Sequence, residues 1–331
     1  GARYKDIEEK AFNVEVVTPL FLGSANTLEA ELRAASIKGV LRFWWRALYG
    51  SEIIEDMHKR ESKIFGSTEK KSKISIFISA NNIETTLSDF PEGKRVKERT
   101  RSKTFSINIL DYLAYGLHEY NKQIRRPKYK RKNIQSGTHF NLTFRFKKEV
   151  KDELFNAISA LFMLGGLGAC SRNGFGSLYS SQIDKIEISK LFQGELKSFT
   201  SFSRKAEFFD TFNEHLTWEG ALSEIGIAYR NARRSLEGKH KFDKRSLIAK
   251  PVESKLEKNI PDYIRNGRIA KPYFLHVSKI GKGRYQGHIL FLPHKYKGEN
   301  HNPSDPRGHE EYLKVCYEMN KSIKAQMEGS F

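Results

Sequence analysis

The stretch THFNLTFRFKKEVKDELFNAISALFMLGGLGACSRNGFGSL, Thr138 to Leu178, reads as a strand, a helix and a glycine-rich connector in one run. Thr138–Lys147 alternates Phe140, Leu142, Phe144 and Phe146 with polar residues, the period of a half-buried strand. Lys151–Gly166 carries a wide apolar face that a helix has to bury. Gly165, Gly166, Gly168, Gly174 and Gly176 follow within a few residues, and Leu178–Ser189 reads as the next strand.

The same order stands upstream. Phe12–Thr18 alternates as a strand and stops at Pro19 and Gly23. Ser36 is the expected N-cap of a helix starting at Ile37, and Lys73–Ser79 is a second strand. The resulting β-α-β, insertion, β-α-β order predicts a ferredoxin-like α+β sandwich, with two helices on one face of a four-stranded antiparallel sheet. The insertion, about 80–137, is expected to hold a short helix over Ile107–Tyr120. Ile107, Leu110, Leu113, Ala114 and Leu117 would be its buried face. Two basic runs flank that helix, Gly93–Lys103 and Lys122–Lys132. Such charge density fits a solvated or ligand-bound segment.

A second unit begins near Gly194, so the expected domains are 1–193 and 194–331. Thr217–Leu236 has helical spacing, and Lys271–Pro293 reads as a hairpin turning at Gly281–Gly283. Asp305-Pro306 offers an N-cap and first helical position for a last helix to about Gln326, burying Leu313, Cys316, Tyr317 and Ile323. No closing strand is legible. The second module is either a reduced ferredoxin-like copy or takes its last strand from elsewhere.

The 331 residues carry 58 Lys and Arg against 39 Asp and Glu, a net charge of +19. That excess favours a polyanionic partner: nucleic acid, an acidic membrane surface or an acidic protein. Cys170 and Cys316 stand far apart, which argues against a disulfide framework or a cysteine zinc site and suits a reducing cytoplasm. No apolar run approaches ~20 residues and no signal peptide begins the chain, so a soluble cytoplasmic protein is expected, with no membrane contact.

Within Ser36–Gly50, one helical face collects Ile37, Val40, Leu41, Phe43, Trp44, Ala47 and Leu48. The other collects Lys38, Arg42, Trp45, Arg46 and Tyr49. Cations there can neutralise phosphates, and an exposed Trp45 indole can stack on a base for ~1–3 kcal/mol. The competing reading pairs Arg42 and Arg46 with local carboxylates such as Glu52 and packs Trp45 under the insertion. The glycine-rich loop is equally open: its amides, Arg172 and Asn173 can cradle a phosphodiester, or it is a tight connector. It lacks the GxxxxGK[ST] pattern and runs from helix to strand, against the Rossmann order. Arg230, Arg233 and Arg234 on the second module's helix, and Lys282 and Arg284 beside Gly283, add candidate phosphate contacts.

Enzymatic readings find little. His288, His294, His301 and His309 match no zinc-ligand spacing, and no carboxylate pair suits two-metal cleavage, so no metal or cofactor is expected. His276 and His139 are candidate general bases by residue type alone. Ser171 lacks the GxSxG surroundings of a nucleophile elbow.

The segments VTPLFLGSA, LRAASIKGVLRFWWRAL, IFGS and LGGLGACSRNGFGSL together resemble the family of first subunits of the Cmr complex, the type III-B CRISPR effector built of RAMP proteins. The close match covers about Phe12 to Leu178, and WEGALSEIGIAYRNARR with YFLHVSK extends it more loosely. The resemblance implies two ferredoxin-like RAMP modules in a non-catalytic subunit beside other RAMP subunits. It implies contact with the 3′ part of the guide RNA and with paired target RNA, cleavage belonging to another subunit. It carries RNA-binding roles onto Lys38, Arg42, Trp45 and Arg46, and onto Gly166, Gly168, Ser171, Arg172, Gly174, Phe175 and Gly176. Cys170 and Asn173 stand where the family loop commonly has basic residues, which leaves phosphate contact to Arg172 and the backbone amides. The rival readings are a metal-independent RAMP endoribonuclease that processes guide precursor, most simply through His276, and a purely structural assembly subunit.

Overall fold

The computed structural model describes residues 5–22, 32–80, 83, 85–87, 90–238, 241–250, 252, 259–296 and 304–329. Strand β1 (Ile7–Val16) is the spine of the first sheet. Its alternating Phe12, Val14 and Val16 point into the core, and it runs antiparallel to β9 (His139–Lys147) from Ile7↔Lys147 to Glu15↔His139. Strand β2 (Ile74–Ser79) flanks β9 and β10 (Leu178–Tyr179) flanks β1, giving the order β10-β1-β9-β2. Helices α1 (Ala34–Tyr49) and α4 (Lys151–Leu164) cover the face bearing Phe140, Leu142, Phe144 and Phe146. The opposite face leaves Ala11, Asn13, Asn141 and Arg145 exposed.

Three boundaries differ from expectation. α1 starts before Ser36: the amides of Ser36 and Ile37 already donate to the Arg33 carbonyl, which makes Arg33 the N-cap. The strand expected over Leu178–Ser189 keeps only its first two residues. The Gln182 side chain accepts the Asn13 amide at 2.6 Å and takes the place of a continuing ladder. Helix α2 (Ile54–Phe65), which the sequence reading did not anticipate, packs beside α1.

The insertion folds into short hairpins around one short helix. Its strands are β3 (Thr85–Thr86), β4 (Arg95–Arg99), β5 (Thr104–Asn108), β6 (His118–Asn121), β7 (Arg126–Tyr129) and β8 (Asn133–Ile134). β4 pairs β5, β6 pairs β7, and β3 pairs β8. The helix expected over Ile107–Tyr120 contracts to α3 (Ile109–Leu113). Asn108 Oδ1 caps it by accepting from the Leu110 amide, and Gly116, at φ +91°, turns the chain into β6.

In the second half of the chain, Thr217 Oγ1 accepts the Gly220 amide at the head of α5 (Trp218–Ser235). Strands β13 (Tyr273–Gly281) and β14 (Arg284–Phe291) form the expected hairpin. The closing strand lies ahead of α5, broken into β11 (Glu207–Phe209) and β12 (Glu214–His215) along the free edge of β14. Two minor helices, α6 (Asp243–Ile248) and α7 (Asp262–Arg265), precede the hairpin.

The last helix, α8 (His309–Glu328), begins after Gly308 rather than at Pro306. Asp305 is no cap. Its buried carboxylate accepts from Lys250, Arg307 and Tyr296, and four hydrogen bonds from these three side chains offset its desolvation. Tyr317, expected inside, is 61% exposed, because α8 buries the Tyr312, Val315, Cys316, Met319 and Ile323 stripe instead.

Packing does not follow chain order. The second core gathers α5, the β13–β14 hairpin and α8. It also takes Val17, Phe21, the α3 residues Ile109, Leu110 and Leu113, Tyr129 and Phe175 from the first half.

Candidate nucleic-acid interface

Gly39, Arg42, Phe43 and Arg46 stand at i, i+3, i+4 and i+7 on α1, a single stripe that stays exposed at Gly39 and half-buried at the other three. Across it, the α1 backbone and the glycine loop enclose a groove of about 200 Å³ lined by Gly39, Val40, Phe43, Gly166, Ser171 and Arg172. The Arg172 guanidinium lies over the rings of Phe43 (5.4 Å) and Phe274 (4.5 Å) and donates to the Lys271 carbonyl at 2.6 Å. Burial lowers its pKa to about 10. Phe43, Phe274 and Lys271 were missed in the sequence because their roles come from a contact about a hundred residues away or more in the chain.

The cations of α1 are half committed. Arg42 meets Glu61 Oε1 at 3.4 Å and donates to the carbonyls of Phe65 and Gly66. Arg46 holds Glu61 Oε2 at 2.8 Å. Glu61 of α2 is buried, while the two arginine side chains stay 37% and 40% exposed. Local carboxylate pairing was therefore the right alternative, with Glu61 in place of Glu52. Lys38 makes no hydrogen bond or ion pair among the described residues. Burial and the adjacent Arg42 lower its pKa.

Trp45 corrects the expectation of an exposed stacking ring. It is fully buried because α2 covers the side of α1 away from the sheet, with Arg60 at 5.6 Å from the indole and Tyr49 beside it. Phe175 is likewise buried, edge-on to Phe21 at 5.8 Å. Neither ring can meet a base without unfolding its surroundings.

The glycine loop is held from three sides. Leu167 and Gly176 bond across it, Ala169 donates to the Phe21 carbonyl at 2.8 Å, and the Leu275 amide of β13 donates to the Arg172 carbonyl at 2.9 Å. Gly168 (φ +82°) and Gly176 (φ +67°) adopt left-handed backbone, and a Cβ at either would run into a carbonyl. The loop is thus a tight connector that also ties the Phe21 segment to β13. Asn173 is drawn inward, donating to the Leu113 carbonyl and accepting from Lys271. Cys170 sits at φ +56° and burial raises its thiol pKa. The amides of Ser171 and Arg172, next in the chain and at the groove, have no acceptor among the described residues.

The remaining sequence candidates lie elsewhere. Arg230 is only 4% exposed and pairs with Glu98 of the insertion, and burial takes its pKa to about 10. Arg234 joins the same carboxylate at 2.5 Å, and Arg233 donates to Tyr112 Oη. These three arginines pin the insertion onto α5, which corrects their reading as a phosphate-facing set. Lys282 and Arg284 sit at the tip of the β13–β14 hairpin, on the order of 20 Å along the strand from Leu275 at the loop. Arg284 there pairs with Glu214. A larger cleft of about 430 Å³ beside α5 is lined by Glu92, Glu219 and Glu224 together with Lys94 and His215, so its acidic groups outnumber its lysine.

His276 cannot serve as a base for RNA. It is fully buried, stacks on His288 at 4.8 Å and donates from Nδ1 to the Gly165 carbonyl at 2.6 Å; burial lowers its pKa to about 4. His139 is exposed, 3.9 Å from Glu15. His301 lies outside the described residues, as does Gly23. Among the described residues no His, Cys, Asp and Glu group is arranged to hold a metal, and no helix is long and apolar enough to cross a membrane.

Comparison with known proteins agrees with this architecture. The chain is 32% identical over 184 residues to the CRISPR system Cmr subunit Cmr1-2 of Pyrococcus furiosus, an alignment covering 51% of this chain and 94% of that one. It is 29% identical over 239 residues to the Cmr1-1 subunit of the same organism, covering 70% of this chain and 62% of the relative. The crystal structure of apo Cmr1 from Pyrococcus furiosus superimposes with a TM-score of 0.51 at 18% identity, over 95% of this chain and 96% of that one. The RAMP superfamily model matches residues 13–179, half of the chain. On that match the chain belongs to the RAMP superfamily.

Proposed function

We propose that the chain is a non-catalytic, RNA-binding subunit of a type III-B CRISPR (Cmr) effector complex. Its partners would be guide RNA, target RNA and other RAMP subunits. The observation that carries this reading is a groove lined by Ser171 and Arg172, whose amides have no acceptor among the described residues, beside the half-exposed Arg42–Arg46 stripe. Successive amides without an acceptor among the described residues, next to guanidinium groups, suit a phosphodiester, and the net charge of +19 draws a polyanion to the surface. The two modules, 1–193 and 194–331, are read as tandem ferredoxin-like units. The β10-β1-β9-β2 order supports the first, and the broken closing strand on β14 supports an irregular second.

The bound strand meets the backbone-reading groove through Lys38, Arg42, Arg46 and Arg172, not through Trp45 or Phe175. Chemistry on RNA is left to other subunits, which fits a buried, neutral His276. The test is incubation of the purified chain with repeat-containing RNA in EDTA, followed by crosslinking. Intact RNA with adducts in Gly165–Gly176, and weaker binding by Arg172→Ala across all sequences, is the expected result. Specific metal-independent cuts would restore the endoribonuclease reading. Complete absence of adducts inside an assembled complex would leave only the scaffold.

A further inference from the structure

The basic surface continues past the glycine loop. Cys170 Sγ donates to the Tyr115 carbonyl at 3.8 Å, which places the turn after α3 against the loop. The Tyr115 side chain is 76% exposed there. The chain then enters the β6–β7 hairpin, whose Lys122, Arg125 and Lys128 are exposed and form no ion pair among the described residues; Glu119, opposite Lys128 in the ladder, pairs with Lys130. Arg131, just beyond the hairpin, lies close enough to Cys170 to act on its thiol electrostatically.

The hairpin's position against the loop is fixed by packing. Tyr129 stacks obliquely on Phe21 at 4.9 Å, and the Phe21 carbonyl accepts the Ala169 amide. The Lys130 amide donates to the Leu117 carbonyl at 2.9 Å. Asn173 of the loop donates to the Leu113 carbonyl of α3 at 2.8 Å. Groove, loop, bare ring and cationic hairpin therefore follow one another along a connected surface.

We propose that Tyr115 and the β6–β7 hairpin form a second subsite for single-stranded RNA, stacking a base on Tyr115 and taking backbone phosphates on Lys122, Arg125 and Lys128. The subsite rests on the RNA-binding reading above and extends it beyond the groove. An exposed ring followed in the chain by exposed cations that form no ion pair among the described residues is a combination that tracks a single strand without reading its sequence. An acidic protein would answer the cations, but it leaves unexplained an exposed tyrosine whose backbone touches the glycine loop.

The test uses the full chain and a labelled, unstructured single-stranded RNA of mixed sequence, with binding measured against salt. Combined Lys122→Ala, Arg125→Ala and Lys128→Ala should flatten the log–log salt slope by about 2 units, at ~0.7 per phosphate contact on single strands. Tyr115→Ala should weaken binding about 5- to 150-fold, and Tyr115→Phe should bind as the parent does. All four side chains are at the surface, and an unchanged melting temperature confirms each fold. If these variants bind like the parent while Arg172→Ala still weakens binding, the subsite is wrong and the groove stands. If the parent binds no RNA, both readings fall. Unchanged RNA binding with lost docking to other Cmr subunits would overturn the subsite and assign the hairpin to protein contact.

Discussion

Arg46 grips Glu61 through both its Nε and one terminal nitrogen, each 2.8 Å from Oε2, and Arg42 shares the same carboxylate from one turn earlier. One buried acid thus fixes two cations at the rim of the groove. Glu61→Gln should cost about 1–2 kcal/mol of stability, the range for a charge-assisted bond discounted for the exposure of both arginines. The same change frees two guanidinium groups, so RNA binding should tighten and its salt slope steepen by up to about 1.4 units. Denaturation and salt titration of the same sample check both; weaker binding by a folded variant would contradict the placement of these arginines.

Trp45 is predicted to matter for stability and not for contact. Trp45→Ala empties a fully buried site between α1 and α2 and should cost about 3–5 kcal/mol. Trp45→Phe should lose less and bind RNA unchanged. An RNA-affinity loss by folded Trp45→Phe, with the melting temperature held, would return the indole to the interface.

Gly176→Ala and Gly168→Ala should each destabilise the chain by more than the ~1 kcal/mol of an ordinary glycine replacement, because each adds steric conflict with a carbonyl to a left-handed backbone. Gly39→Ala, where a Cβ meets open space on a helix, should be neutral or stabilising. Thermal melts of the three variants give the ranking directly.

Acid should weaken the fold through the stacked histidines. His276 has a folded pKa of about 4 against an ordinary 6.5. Between those values the unfolded chain binds more protons, so stability falls as pH drops through that window and is full above it. The loss from His276 alone is about 3 kcal/mol, and His288 is shifted in the same direction by burial and by His276. Denaturant melts across that window should show the slope, and His276→Gln should flatten it.

Period and capping made β9, α4, α5 and the β13–β14 hairpin legible in the sequence, since each is long enough to repeat its pattern. The closing strand was not, because two fragments of three and two residues carry no period. Trp45 was misread for a different reason. A helical wheel locates the face toward the sheet but cannot see α2 covering the other side. Arg230 shows the same limit: its burial depends on Glu98, in an insertion far upstream. The glycine loop was legible as a special place. Whether its glycines served a ligand or the fold depended on carbonyls of Phe21 and Leu167 that only the tertiary arrangement supplies.

The central claim is that this surface binds single-stranded RNA through its backbone charge. The measurement that tests it most directly is the affinity of the full chain for unstructured RNA across a salt series. Several cation–phosphate contacts predict a log–log slope of several negative units, reduced by Arg172→Ala and by Lys38→Ala. A flat response, or no binding at low salt, would contradict it.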